Sequence, residues 1–226
     1  MGRTPRLTVM VGALALAGPL SAQGPGIALL PFENSGSYGQ DKEVFQALEL
    51  GIPATLESVL GRHPGVRVAD RGQVRQAMSR QNAGPAQRLD AATAAAIAKA
   101  VGARYAVTGS FADFYGKFRI NARVVNTETG EIVKVVSNDD PALQDRAQLS
   151  AIIQAVGDKI LAAIGVTQAG GASQPVPTEA LNQFSLGLLF ESRADATRAA
   201  EAFQRALGIF PGYEDARSGL GRVQGK

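Results

Sequence analysis

The chain has 226 residues, 45% of them hydrophobic and 19% charged, which suits one medium domain with a packed core plus a smaller unit. It contains no cysteine, which excludes disulfides, thiolate metal sites, cysteine nucleophiles and a lipid anchor on cysteine. The formal net charge is +3, and the basic residues between 62 and 80 are spread out and interrupted by Asp70. Because phosphate binding needs clustered Lys and Arg, we expect no nucleic-acid partner.

The first 22 residues have the three parts of a secretory signal peptide. Arg3 and Arg6 form a short positive region, an apolar stretch follows at 7–17, and small residues lead to a predicted cleavage site near Ala22. The apolar stretch is too short to cross a membrane, which takes about 20 residues. We therefore predict that 1–22 is removed, that the formal charge falls from +3 to +1, and that the mature protein is periplasmic without a transmembrane segment.

Residues 26–166 alternate between short apolar runs and stretches of helical periodicity. The run at 27–32 lacks polar alternation and predicts a strand that is buried on both faces. The helix that follows contains Pro53, which predicts either a kink or a restart of the helix. Further along, the pattern predicts a strand at 66–70, a helix at 71–80, a helix that Asp90 caps and Gly102 ends, and a strand at 103–113.

A hairpin is predicted over 118–136, because apolar residues alternate with polar ones and Gly130 stands in a turn that needs a positive φ. A long helix is predicted from about Pro141, since apolar residues between 149 and 164 recur at helical spacing. Asp139 and Asp140 precede that helix, and we interpret them as its caps rather than as a calcium site or an acid–base pair.

The glycine- and proline-rich segment 167–177 predicts a linker, and 178–226 predicts a helical repeat. A Leu-Gly pair recurs after 34 residues, which is the period of the tetratricopeptide repeat. In that repeat small residues let two antiparallel helices approach, an aromatic residue fills the space between them, and proline ends the second helix. The positions that match are Leu186, Gly187, Ala199, Phe203, Ala206, Pro211, Leu220 and Gly221.

Four pieces of the chain occur in the order of a known family: IALLPFEN (27–34), PGVRV (64–68), GARYAVTGS (102–110) and NTETGEI (126–132). This set resembles bacterial envelope domains of the TolB amino-terminal, curli-secretion (CsgG-like) and flagellar FlgO-like kinds. The resemblance implies an α/β sandwich without enzymatic activity that serves assembly and protein contact in the periplasm. The expected fold class is therefore α+β, a mixed sheet with flanking helices, plus a C-terminal all-α helical hairpin.

Residues suited to catalysis are scarce in the sequence. His63 is the only histidine, and its place in a helix-ending turn predicts an ordinary exposed side chain. The glycine-rich loop at 33–40 lacks the spacing and the Lys-Ser/Thr pair of a phosphate-binding loop. We interpret it as a contact loop, with Asn34 and Tyr38 as candidate contact residues, and we assign no catalytic, cofactor-binding or metal-binding residue.

The leading functional hypothesis is a non-catalytic periplasmic module for protein–protein interaction and assembly in the cell envelope, with an unknown envelope partner or a second copy of itself. The alternative is a CsgG-like outer-membrane secretion component or its accessory, and a third hypothesis is an enzyme acting on the cell wall. Because one and a half repeats bury little apolar surface alone, we also predict that the last helix caps the tail or that the tail docks on another surface.

Overall fold

The computed structural model describes residues 24–37, 41–84, 88–142, 144–166 and 174–225. The predicted signal peptide (1–22), the candidate contact residue Tyr38 and most of the predicted linker lie outside the described residues.

Five strands and seven α-helices make up the described chain. The strands are β1 (Gly26–Asn34), β2 (Arg67–Val68), β3 (Tyr105–Phe114), β4 (Lys117–Asn126) and β5 (Ile132–Ser137). The helices are α1 (Lys42–Gly61), α2 (Arg71–Arg80), α3 (Ala91–Ala100), α4 (Leu149–Ala163), α5 (Thr178–Ser192), α6 (Ala196–Ile209) and α7 (Glu214–Gln224), and a 3-10 turn at Arg146–Gln148 precedes α4.

The strands form one mixed sheet in the order β2-β1-β3-β4-β5. β1 runs parallel to both of its neighbours, whereas β3, β4 and β5 form an antiparallel meander. β1 is buried on both faces, as its unbroken apolar run predicts. Ile27 and Leu29 pack into the core on one side of the sheet, while Ala28 and Leu30 pack into the core on the other.

Helices cover both faces of the sheet and enclose two cores. α1 and α4 supply Leu48, Ile52 and Ile153 to the larger core, and α2 and α3 supply Met78 and Ile97 to the smaller one. Asp90 caps α3 by accepting a hydrogen bond from the Thr93 amide, as predicted. The result is an α/β sandwich with a mixed sheet, and the predicted fold class is confirmed.

Three local predictions differ from the structure. α1 is a single helix through Pro53, so of the two predicted alternatives, a kink or a restart, the restart is wrong. The long helix begins at Leu149, too far along the chain for the two aspartates to cap it. Instead Asp139 pairs with the Lys159 ammonium group.

The capping role falls to Asp145, which accepts a hydrogen bond from the Ala147 amide at the 3-10 turn, while Asp140 accepts one from Ala142. His63 is buried, contrary to the prediction of an exposed side chain. The turn after α1 folds back on itself, because the His63 amide donates to the Leu60 carbonyl and the His63 carbonyl accepts from Val66.

The tail, α5 to α7, packs against the body of the protein through α1. Gly51 of α1 lies directly against Ser185 of α5, and Ala54 of α1 belongs to the same core cluster as the tail's own aromatic residues. The Ser58 hydroxyl also donates to Asp215 of α7 at 2.6 Å. The tail therefore docks on the main domain while α7 covers the helix pair, as predicted; the domain boundaries themselves stay a prediction.

Candidate interaction site

The turn between β3 and β4 holds the backbone in an unusual conformation. Only two residues, Tyr115 and Gly116, connect the paired ends Phe114 and Lys117. Both have positive φ values, 54° and 84°, as a type I′ hairpin turn requires. Asn, Asp and Gly are the residues that this turn favours, because any other side chain in the left-handed region costs about 1–2 kcal/mol. Tyr115 bears that cost here.

The same turn presents two aromatic side chains to solvent. Tyr115 is fully exposed (105% relative accessibility), and Phe114 is 54% exposed. Neither ring contributes to a core cluster. Aromatic side chains supply much of the binding free energy when they are buried at protein–protein interfaces. The tip of the β3–β4 hairpin, Phe114–Gly116, therefore forms an exposed aromatic surface.

One buried carboxylate and its charged neighbours connect this hairpin tip to the rest of the fold. Asp113 is 3% exposed, and its carboxylate accepts a hydrogen bond from the Gly116 amide at 2.7 Å. The other carboxylate oxygen lies 3.1 Å from the Arg146 guanidinium, which also lies 3.5 Å from Asp41 and stacks over the Phe45 ring. These contacts tie the tip to the start of α1 and to the 3-10 turn, so its aromatic rings project from a fixed base.

The loop that follows β1 lies beside the hairpin tip. The Asn34 amide oxygen accepts hydrogen bonds from the amides of Gly36 and Ser37 at 3.4 and 2.9 Å. The Ser37 hydroxyl in turn accepts from the Asp113 amide at 3.1 Å. Asn34 thus shapes its own loop with its side-chain oxygen. Its role as a contact residue stays a prediction; the structure pairs it with Phe111 and brings its loop to Asp113, at the base of the hairpin tip.

Gly187, Ala199, Phe203 and Ala206, half of the positions predicted from the repeat pattern, meet in the core of the tail. Phe203 is completely buried, and its ring lies so close to Gly187 that a side chain at that position would overlap it. Ala199 and Ala206 are also fully buried. These positions do what the helical-repeat pattern requires, although the tetratricopeptide assignment itself stays a prediction.

The remaining repeat positions lie at the margin of the tail. Pro211 stands in the turn after α6, as the pattern predicts. Leu186 and Leu220 are half-buried against the tail core, and the space around Gly221 is open. A second close approach to Phe203 is made instead by Gly219, where an added Cβ would lie 2.7 Å from the ring. Gly219 was missed because it falls outside the 34-residue spacing.

The junction of body and tail carries paired charges. Arg71 of α2 binds the Glu57 carboxylate at 2.6 Å, and Arg222 of α7 binds Glu191 at 2.9 Å. Burial raises the pKa of Glu57, while the neighbouring Arg71 guanidinium acts in the opposite direction. Each of these charged groups already has a partner of opposite sign. We accordingly regard the junction as a structural contact.

Within the described ranges, no group of three or more His, Cys, Asp or Glu residues is arranged to hold a metal ion. None of the helices described there is both long enough and apolar enough to cross a bilayer.

The fold and the site together define an open α/β sandwich with a docked helical tail and an exposed aromatic hairpin tip. The chain matches no protein-family model, and no curated protein matches it significantly. Among solved structures it is similar to LpoB of Escherichia coli, with 18% identity, 61% of this chain and 78% of that chain covered, and a TM-score of 0.40.

Two further similar structures come from other bacteria. The LpoB C-terminal domain of Salmonella enterica is 19% identical, with 51% of this chain and 82% of that one covered, at a TM-score of 0.38. TolB of Acinetobacter baumannii is 18% identical, with 63% of this chain but only 27% of that one covered, at a TM-score of 0.37. The three are two LpoB structures and a TolB; the curli-secretion likeness stays a prediction.

Proposed function

We propose that this chain is a non-catalytic protein-interaction module of the bacterial cell envelope and that the β3–β4 hairpin tip is its principal contact site. The observation that carries the proposal is Tyr115, a fully exposed aromatic residue in a left-handed turn position that disfavours it. Backbone strain of this kind is concentrated at functional sites, where the surrounding structure enforces it. The buried Asp113 carboxylate, paired with the half-exposed Arg146 guanidinium, supports that conformation.

A preorganised aromatic tip favours a protein partner. Binding costs free energy for every mobile side chain and loop that becomes ordered, and a two-residue turn clamped at its base loses little of either. Two exposed rings on a convex tip suit insertion into a pocket of the partner, where their apolar surface is removed from water. The predicted secretory leader and the sequence resemblance to envelope domains support the periplasm as the place where this contact is made.

Replacing Tyr115 with asparagine should separate binding from folding. The variant creates an Asn-Gly turn, which the type I′ geometry prefers, so we expect the free energy of unfolding to rise by about 1 kcal/mol. The exposed ring is lost at the same time, so binding to the envelope partner should fall about tenfold or more, as for an aromatic hot spot. Urea denaturation measures the first effect, and affinity capture from periplasmic extract, with partners quantified by mass spectrometry, measures the second.

A matched control replaces Lys99 with asparagine, at an exposed position near the end of α3. Its capture profile should equal that of the wild-type chain. If the Tyr115→Asn chain keeps every partner of the wild type at unchanged yield, the hairpin tip is not the contact site.

A further inference from the structure

The outer edge of β4 is closed along its whole length, but by different means in its two halves. The half near the hairpin tip is covered by Asn138, whose side-chain amide accepts from the Ile120 amide and donates to the Phe118 carbonyl, at 2.7 and 2.8 Å. The Phe118 amide donates to the Gln144 carbonyl at 2.6 Å. The other half of β4 pairs with β5. On the half of β4 near the hairpin tip, these side-chain and loop hydrogen bonds end the sheet. On the other half β5 extends the sheet and becomes its new edge strand.

β5 is an unusually apolar edge strand. In the described part of the chain it pairs with β4 alone, so alternate backbone N–H and C=O groups along its other side point outward. Ile132 and Val133 are each 45% exposed, and Val135 is 55% exposed. Edge strands normally carry charges or proline to prevent pairing with other chains. β5 has one lysine and one irregularity in its pairing, and its apolar side chains remain accessible.

The two faces of β5 differ in chemistry. Ile132 lies opposite Val125 and Val135 lies opposite Arg123, so both project from the face of the sheet that α2 and α3 cover elsewhere. The core beneath α2 and α3 includes the buried Val125 of β4, whereas Ile132 and Val135 of β5 remain exposed. Lys134 lies opposite Val124, on the other face, and is exposed. The edge therefore presents apolar groups on one face and an ammonium group on the other.

We propose that β5 accepts an extended segment of a partner protein as a sixth strand, and that this segment alternates apolar and acidic residues. Its backbone would satisfy the outward-facing N–H and C=O groups of β5, the usual source of affinity when a strand is added to a sheet. Its apolar residues would cover Ile132 and Val135 as cross-strand neighbours, and an acidic residue would lie beside Lys134. This surface is formed by different residues from the hairpin tip, so the two proposals can fail separately.

The proposal is tested with the full chain and two fluorescent, end-capped octapeptides, one alternating valine with glutamate and the other valine with lysine. Fluorescence anisotropy should show that the glutamate peptide binds about tenfold more tightly than the lysine peptide. Lys134→Glu should reverse that order, because a carboxylate at this position attracts the lysine peptide and repels the glutamate peptide. Position 134 is exposed, so we expect the variant to fold. Lys99→Glu, the same charge change on α3, should leave the order unchanged. Hydrogen exchange should show slower exchange for amides of 131–137 when the glutamate peptide is bound.

Three outcomes would overturn the proposal. The first is equal or undetectable binding of the two peptides, and the second is slowed exchange that falls outside 131–137. The third is a wild-type dimer by light scattering that Val135→Lys dissociates, because a second copy would then occupy the edge. The Val135 side chain is more than half exposed, so we expect the Val135→Lys variant to fold. Circular dichroism checks this before the comparison is made.

Discussion

Replacing Phe203 with alanine should lower the free energy of unfolding by about 4 kcal/mol, the middle of the range for removing a buried phenylalanine ring. The Phe203 ring is completely inaccessible to solvent and fills the space between Gly187 of α5 and Gly219 of α7. It also lies 6.0 Å from the Phe184 ring, centroid to centroid. Because glycines line the space on two sides, the neighbouring helices have no side chains there that can move in to fill the cavity. Urea denaturation followed by circular dichroism measures the loss.

The matched control for that variant is Phe210→Ala, in the turn after α6. Phe210 is only half-buried and contacts Tyr213 at the margin of the tail core. Its removal should cost about 1 kcal/mol, since less apolar surface is returned to water. Equal losses for the two variants would mean that Phe203 is not the central side chain of the tail.

Replacing Gly51 with alanine should destabilise the protein by about 2 kcal/mol, although alanine is the better helix former. Helix propensity alone would stabilise α1 by about 1 kcal/mol. The new methyl group, however, would lie 2.6 Å from the Ser185 Cβ and closer still to its hydroxyl oxygen. Overpacking a close helix contact costs about 3 kcal/mol at the upper end of its usual range, which exceeds the gain in propensity. The net loss, measured by urea denaturation, reports whether the tail is docked on the body.

A double-variant cycle isolates this contact. Ser185→Gly removes the opposing Cβ and hydroxyl, and alone it should cost about 0.5 kcal/mol through helix propensity. In the Ser185→Gly background, Gly51→Ala should no longer destabilise the protein. If Gly51→Ala is neutral or stabilising in the otherwise wild-type chain, α5 does not pack against α1 in solution.

Much of the fold follows from local signals. The apolar run at 27–32 predicts a central strand because no polar alternation marks a wet face. Gly130, with a φ of 73°, and Gly102, with a φ of 68°, stand where a turn and a helix end need the left-handed conformation. In these places the sequence next to the element determines its structure, and the predictions agree with the observed elements.

Other features depend on partners that are distant in sequence. Asp139 has the sequence context of a helix cap, but Lys159, 20 residues further on, competes for its carboxylate. His63 is buried in the turn after α1, and its neighbours in sequence do not predict that. Gly219 is a close-approach residue only because Phe203 points at it. Local propensity cannot foresee such contacts.

The candidate site was overlooked for a related reason. The sequence predicts a tight turn at Asp113–Gly116, which argues against a long pore-forming hairpin, whereas contact is predicted for the glycine-rich loop near Asn34. The available signal for the site was a tyrosine at position 115 of a two-residue hairpin turn. This turn favours Asn, Asp and Gly, and Tyr115 is none of these. The ion pair between the buried Asp113 and the half-exposed Arg146 joins residues from separate elements, and only the structure shows it.

Site-specific photocrosslinking in living cells tests the central claim most directly. A photoreactive phenylalanine analogue replaces Tyr115 in one strain and Lys99, exposed on α3, in another. Irradiation should give one covalent adduct of defined mass, containing an envelope protein, from position 115, and no such adduct from position 99. Absence of an adduct at 115, or the same adduct from both positions, would contradict the account.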